Sequence, residues 1–478
     1  MIRRNRAFVA CIWFCLELDE YDCTWCWPGN AGAEFDEALA ISDTDHCPIT
    51  TSFHTLFSIL STWDLTANLI LDISVYSPSD SKHFFKYLTF MPDTALDTLD
   101  GRRNIQHMSI MTLDMDGFLV VHTTLHLEGC FSNLFIQSWK EGPFDSDQSE
   151  LHWWDRLPSV PAVVTLLLRQ QNRRRWKPKS LAHMFARFPR LQEVHYEPWR
   201  EWNFKQGLTD RRECGYIPEL LLEIIWLGTR LLIIRISHSE YPYLFESIRR
   251  FNGNLKRLVV FENFNQQYPM HMQRFPFGVE VSGCDIIRKP APAVSRIVAL
   301  TSLKLEHLAA SFIVDANHFF NIEPSWEWPN LTSLVLTSKL LAPEKSPIEI
   351  GAMLQAAAAV ATKMPQLKTM EIWNGRKGVA ALFKYQVFHD VQHARIIWRG
   401  TWEFIMEPSV IRAWEAFVQQ RHGWRLDLTQ ELLDEATIKS HGDAIGYLML
   451  SGQVIRPISL QQIRIEQRAL KGVMTRLE

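Results

Sequence analysis

The sequence lacks the short signatures of common catalytic sites. It has no P-loop, no GxGxxG fingerprint, no HExxH and no GxSxG elbow. No nucleophile is placed beside a candidate base, so the sequence reads as that of a non-enzyme with no cofactor. No apolar run approaches the ~20 residues that a membrane-spanning helix needs. The formal net charge is only −3 over 478 residues, without the positive excess typical of nucleic-acid and acidic-membrane binders. Cysteine is scarce beyond the first fifty residues, where only Cys130, Cys214 and Cys284 occur. A secreted chain of this length would distribute paired cysteines through its body, so the expected location is the cytoplasm or nucleus.

The N-terminus needs its own reading. Arg3, Arg4 and Arg6 precede the apolar run Ala7–Leu16, as in a secretion signal, but Glu17, Asp19, Glu20 and Asp22 follow where a small-residue cleavage site would stand. Cys11, Cys15, Cys23, Cys26 and Cys47 cluster here. Cys23-x-x-Cys26 has no second pair at matching spacing, so these residues read as thiols and no metal site is assigned. Asp114-Met-Asp116-Gly117 lacks the first and last carboxylates of a calcium loop. His389 and His393 would share a face if helical, but two ligands do not make a metal site.

What is present is repetition. An apolar residue, two spacers, an apolar residue, one spacer and an apolar residue recur at Leu191/Val194/Tyr196, Leu231/Ile234/Ile236, Leu255/Leu258/Val260, Leu300/Leu303/Leu305, Leu331/Leu334/Leu336 and Leu367/Met370/Ile372. Val163/Leu166/Leu168 is a weaker early copy. The last two positions alternate as a short strand requires, and the first anchors the turn entering it. Pro189, Pro329 and Pro365 each stand two residues before the first position and end the preceding segment. Helical spacing precedes several copies, at Lys179–Arg187, Leu244–Phe251 and Met353–Lys363, the last with four consecutive alanines.

The pattern predicts an α/β fold, an irregular leucine-rich-repeat-like solenoid in which short parallel strands alternate with helices. Spacings of 40, 24, 45, 31 and 36 residues exceed the roughly 20–29 of regular repeats. The Asn expected three residues past each copy stands only at Asn263, so an uneven arc is expected. Its concave face would be lined near Tyr196, Ile236, Val260, Leu305, Leu336 and Ile372.

Four regions follow from this reading. Residues 1–55 form a divergent, poorly ordered or separately folded extension. Residues 56–150 are a β-rich start with strands at Leu69–Val75, Phe118–Leu127 and Phe131–Trp139. Residues 151–395 are the repeat region. Residues 396–478 are a C-terminal cap, with strand at Ala394–Phe404 and helices at Pro408–Gln419, Thr429–Ile438 and Ser459–Leu477.

Eight Arg or Lys and no acid lie between Arg169 and Arg190. Arg173, Arg174, Arg175, Trp176 and Lys177 suit an acidic protein surface or a phosphate. The chain has 18 tryptophans, and Trp199, Trp202 and Trp373 are added as anchors because Trp dominates interface hot spots. The stretches Ser74–Asp80, Arg173–Pro178, His195–Trp202, Met370–Gly375 and Ile438–Ala444 resemble an uncharacterised family of filamentous-fungal proteins of F-box and leucine-rich-repeat-like type. The resemblance covers most of the chain from Leu69 onward. It implies a protein-interaction scaffold similar to the substrate-recognition half of a ubiquitin-ligase receptor, with a Skp1-type adaptor as one partner. Residues 1–60 show no Leu-Pro-x-Glu helix start, and Ile217–Ile224, which has one, reads as a repeat helix. A nucleic-acid or phosphate ligand on segment 169–190 is the alternative function.

Overall fold

The computed structural model describes residues 9–18, 48–63, 68–78, 88, 91, 93, 147–172, 176–199, 240–264, 290–321 and 323–474. These residues build one open sheet of eleven strands in strict chain order. The strands are β1 (Cys11–Glu17), β2 (Leu69–Tyr76), β3 (Val163–Leu168), β4 (Glu193–Tyr196), β5 (Arg257–Phe261), β6 (His307–Asp315), β7 (Ser333–Thr337), β8 (Thr369–Arg376), β9 (Val379–Phe388), β10 (His393–Gly400) and β11 (Arg425–Leu432). Strands β1 to β8 run parallel. Strands β8, β9 and β10 form an antiparallel meander, and β11 returns parallel to β10.

Ten helices of the described residues accompany the sheet: α1 (Pro48–Leu60), α2 (Asp147–Arg156), α3 (Pro178–Ala186), α4 (Glu240–Phe251), α5 (Pro292–Thr301), α6 (Ala316–Phe319), α7 (Pro347–Ala361), α8 (Pro408–His422), α9 (His441–Leu448) and α10 (Pro457–Met474). Six of them open on proline. Proline is tolerated there because the first N–H of a helix has no intrahelical partner and the fixed φ suits the first turn.

The repeat pattern sets the register. Leu166, Val194, Leu258, Leu308, Leu334 and Met370 stand directly opposite one another across six strands, and so do Leu168, Tyr196, Val260, Ala310, Leu336 and Ile372. Both rows are buried in one core beneath α1 to α8, with Phe53, Phe57, Phe185, Phe245 and Trp414 among the helix-side partners. Burying each large member contributes roughly 1.5–3 kcal/mol. The first position of a copy anchors a turn, as expected. Leu191, Leu255 and Leu367 donate N–H to the carbonyls of Phe188, Asn252 and Met364 at 3.0–3.1 Å.

Several expectations are corrected. The copy at Leu300/Leu303/Leu305 is not a strand, because Leu300 lies in α5 and Leu303 in a 3-10 turn, Ser302–Lys304. The working copy is Leu305/Leu308/Ala310. Leu305 makes the same turn bond to Ser302, and Leu308 and Ala310 occupy the two rows. An alanine in the third position hid it. The residues expected on a concave partner face, Tyr196, Val260, Leu305, Leu336 and Ile372, point into the helix-side core. The helix expected over Thr429–Ile438 is replaced by β11 and a short 3-10 turn, Glu435–Thr437. His389 and His393 flank a hairpin turn rather than share a helix face.

Residues 11–17, set apart in the sequence as part of an extension, pair with β2. Residue 55 lies inside α1 and residue 395 inside β10, so the sheet runs through both expected boundaries. The copy at Leu231/Ile234/Ile236, the segment Ile217–Ile224, Asp114–Gly117, the strands expected at Phe118–Leu127 and Phe131–Trp139, and Cys23, Cys26, Cys47, Cys130, Cys214 and Cys284 lie outside the described residues. Strand β4 pairs directly with β5, and β2 with β3.

The second face of the sheet is covered by the C-terminal segment. Val259, Phe261, Ala309, Phe312, Val335 and Trp373 form a separate core with Ile438, Ala444, Leu448, Ile455 and Ile463. The sheet is therefore sandwiched between helices α1–α8 and the α9–α10 segment, as a buried parallel sheet requires.

The corrected register makes a direct prediction. Leu308 is 1% exposed, whereas Leu303 is only partly buried. Leu308→Ala is expected to cost about 2–5 kcal/mol by chemical denaturation, and Leu303→Ala less than half as much. Equal costs would refute the register.

Candidate functional site

Polar residues follow the C-terminal ends of the parallel strands, the edge where open α/β sheets usually bind ligands. After β3 come Arg169, Gln170, Gln171 and Asn172, after β4 Glu197, and after β5 Glu262 and Asn263, all buried. A buried polar group needs a partner, and here most partners come from the same chain.

Glu197 receives the N–H of Arg456 at 2.7 Å, the N–H of Gln170 at 3.1 Å and the hydroxyl of Ser459. Ser459 also donates to Gln171 at 3.2 Å, and Gln170 bonds to the Ser459 carbonyl. Gln170 in turn accepts from Asn263, whose Oδ1 lies 2.9 Å from His441 Nε2. Because Asn263 Oδ1 is an acceptor, Nε2 of His441 carries the proton. The imidazole stacks on Phe264 at 4.3 Å between ring centres. Burial lowers its pKa to about 3, so it is a neutral ring holding α9 to the sheet. Beside this seam, Arg169 and Asp72 pair at 2.8 Å with both side chains at most 2% exposed. The Arg169 guanidinium also donates to the Met91 carbonyl and lies over Trp13.

A second seam lies on the same face. Glu371 on β8, fully buried, sits 3.3 Å from Lys384 on β9 and accepts the N–H of Ser451 at 2.8 Å. Gly375 explains how α9 comes so close to β8. A Cβ there would stand 2.5 Å from the Cβ of Ala444.

Of the sequence-nominated residues, four are among those described. Trp176 is buried on the helix side, edge-on to Phe53 at 5.8 Å. Lys177 pairs with Glu150 at 3.0 Å. Trp199, 6% exposed, bridges to Asn263 beyond the end of β4. Trp373 is fully buried on the opposite face against Phe312. Arg173, Arg174, Arg175 and Trp202 lie outside the described residues. Cys11 and Cys15 are on β1, and burial pushes both thiols up, away from reactive thiolate character. Among the described residues no group of three His, Cys, Asp or Glu side chains could hold a metal ion, and no helix is long and apolar enough to cross a membrane.

The open edge at β11, which sequence reasoning missed, offers accessible backbone. The sheet ends at β11 among the described residues. Leu433 donates to Gly400 on β10 at 2.7 Å. By strand alternation Leu426, Leu428, Gln430 and Leu432 therefore turn their backbone N–H and C=O away from the sheet. Leu428 and Leu432 are 50% and 62% exposed. Among the described residues no proline or bulge interrupts this edge, and its charges are Arg425, Asp427 and Glu431. Alternation from Leu426 to Leu428 is the signal that could have identified it.

Residues 251–456 match a family of unknown function (DUF6546). No curated protein and no solved structure matches the chain. The family match takes in β5 to β11, α9 and the Glu371 seam, and ends at Arg456, which caps Glu197.

Glu197 gives this region a pH signature. Burial raises its pKa from the ordinary 4.5 to about 7, although its hydrogen bonds oppose the shift. The folded state therefore binds a proton that the unfolded state releases. This stabilisation is complete below about pH 4.5 and is lost as pH rises to about 7. His441 acts in the opposite sense, losing stability as pH falls below its ordinary 6.5. In urea titrations across this range, the stability difference between Glu197→Gln and wild type should shift with pH in the mutant's favour as pH rises. A constant difference would mean that Glu197 does not titrate there.

Proposed function

We propose that this chain is a non-catalytic protein-binding scaffold that engages its partner through the open β11 edge. The observation that carries the reading is that edge, a full strand with outward backbone groups and exposed leucines. An extended partner segment could add a further strand there, with main-chain hydrogen bonds giving affinity and alternate side chains giving selectivity. The buried polar groups support a scaffold rather than an enzyme, since Glu197, Glu371, Asn263 and His441 fasten the C-terminal segment to the sheet.

In its finer form, the proposal is an irregular leucine-rich-repeat-like solenoid acting in the cytoplasm or nucleus. It would serve as the substrate-recognition part of a ubiquitin-ligase receptor and work with a Skp1-type adaptor. The sequence resemblance supports this form. A phosphate-bearing ligand on segment 169–190 has less support. There Arg169, Lys177 and Arg187 are engaged with Asp72, Glu150 and Asp155, and Arg190 bonds to Asn68.

Affinity purification with mass spectrometry should compare the full chain with a Leu428→Lys/Leu432→Lys variant of unchanged melting temperature. A protein retained by wild type and lost by the variant is the expected result. Its capture together with a Skp1-type adaptor would support the ligase form. Equal capture by both chains would remove β11 as the binding edge.

A further inference from the structure

We infer that the segment added at the β11 edge is β11 of a second copy of this chain, antiparallel across a two-fold axis at Leu428. The inference rests on the binding role assigned to this edge and names its occupant.

Outward backbone groups lie at even-numbered positions, so antiparallel self-pairing must place even against even and odd against odd. Two such registers overlap nearly the whole strand. In one, Leu428 faces its own copy. Arg425 then lies opposite Glu431, Leu426 opposite Gln430, Asp427 opposite Thr429 and Trp424 opposite Leu432. In the other, Thr429 faces its own copy, and Asp427 lies opposite Glu431 twice while Arg425 meets Leu433. Opposite charges facing each other across strands stabilise a sheet and like charges destabilise it, so the first register is selected. A two-fold axis makes each favourable pair occur twice.

The side chains are available for this arrangement. Arg425 is 89% exposed, with its nearest acid, Asp427, 3.6 Å away on the same strand. Glu431 is 40% exposed, and Arg399 reaches only its Oε2, which leaves Oε1 for Arg425 of the second copy. On the other side of the strand, the half-exposed Leu428 would meet its own copy at the axis. Leu432, the more exposed of the two leucines, would cover Trp424, which is partly buried against the helix-side core. In one register the strand thus sets two Arg425–Glu431 pairs on one side and, on the other, Leu428 against its copy and Leu432 against Trp424, with Leu426 facing Gln430.

Sedimentation velocity of the full chain over a concentration series tests this. Wild type should populate a species of twice the chain mass. Arg425→Glu sets Glu against Glu431 twice and should be monomeric where wild type is dimeric. Glu431→Arg should behave likewise. Mixing the two single variants should restore a dimer, because each would then face a complementary charge at both sites. That restoration also shows that both variants remain folded. A monomeric wild type at every concentration overturns the inference, as does an Arg425→Glu chain that dimerises like wild type. If the chain is monomeric but Leu428→Lys/Leu432→Lys still abolishes capture of a different protein, the second-copy inference fails and the binding role stands. If the charge-swap pattern holds but capture is indifferent to the leucines, the dimer stands and the wider binding role fails.

Discussion

A parallel sheet is hydrophobic on both faces, and both must be removed from water. In this protein, distant parts of the chain meet that demand. The helices between successive strands cover one face, each placed by its own connection. Among the described residues the other face is covered by a C-terminal segment, which returns over strands formed up to several hundred residues earlier. Apolar contacts from Ile438, Ala444, Leu448 and Ile463 supply the area. Glu197, Asn263 and Glu371 supply the direction, because a buried carboxylate or amide tolerates only a partner with the right donors.

That arrangement changes the meaning of the polar strand ends. In many open α/β sheets, residues at these positions face a crevice and bind ligands. Here Gln170, Gln171, Glu197 and Asn263 bind Ser459, Arg456 and His441 instead. Fastening the C-terminal segment has an electrostatic consequence, since a carboxylate enclosed this way is pushed towards neutrality and an imidazole is held uncharged. The stability contributed by the seam is therefore expected to vary with pH.

With the faces of the central strands covered, the edges are the places where the sheet can still grow. Only β9 runs against the other strands; β10 restores their direction, and the return through α8 lays β11 parallel to it. The last strand thus presents outward backbone with alternating leucines on one side and opposite charges on the other.

Much of this was written in the repeat pattern. The alternation in Leu166/Leu168, Val194/Tyr196, Leu258/Val260, Leu334/Leu336 and Met370/Ile372 marked five strands, because burial on one face imposes a period of two, but not that this face is the one beneath the helices. The same rule misplaced β6, where the third position is the alanine Ala310 and the end of α5 nearby mimics the pattern. It also gave β11 to a helix, since a strand at the sheet edge need not be buried and carries a weak periodic signal.

The sequence by itself determined the alternation of helices with short strands and the apolar rows of those strands, all of which depend on neighbours a few residues apart. Only the tertiary structure decided that Glu197 and His441 are buried, that Trp176 and Trp373 are packed inside, and that β11 ends the sheet among the described residues. Those outcomes depend on residues up to 262 positions apart, as for Glu197 and Ser459, and no local spacing encodes which distant segment will supply a buried group's partner.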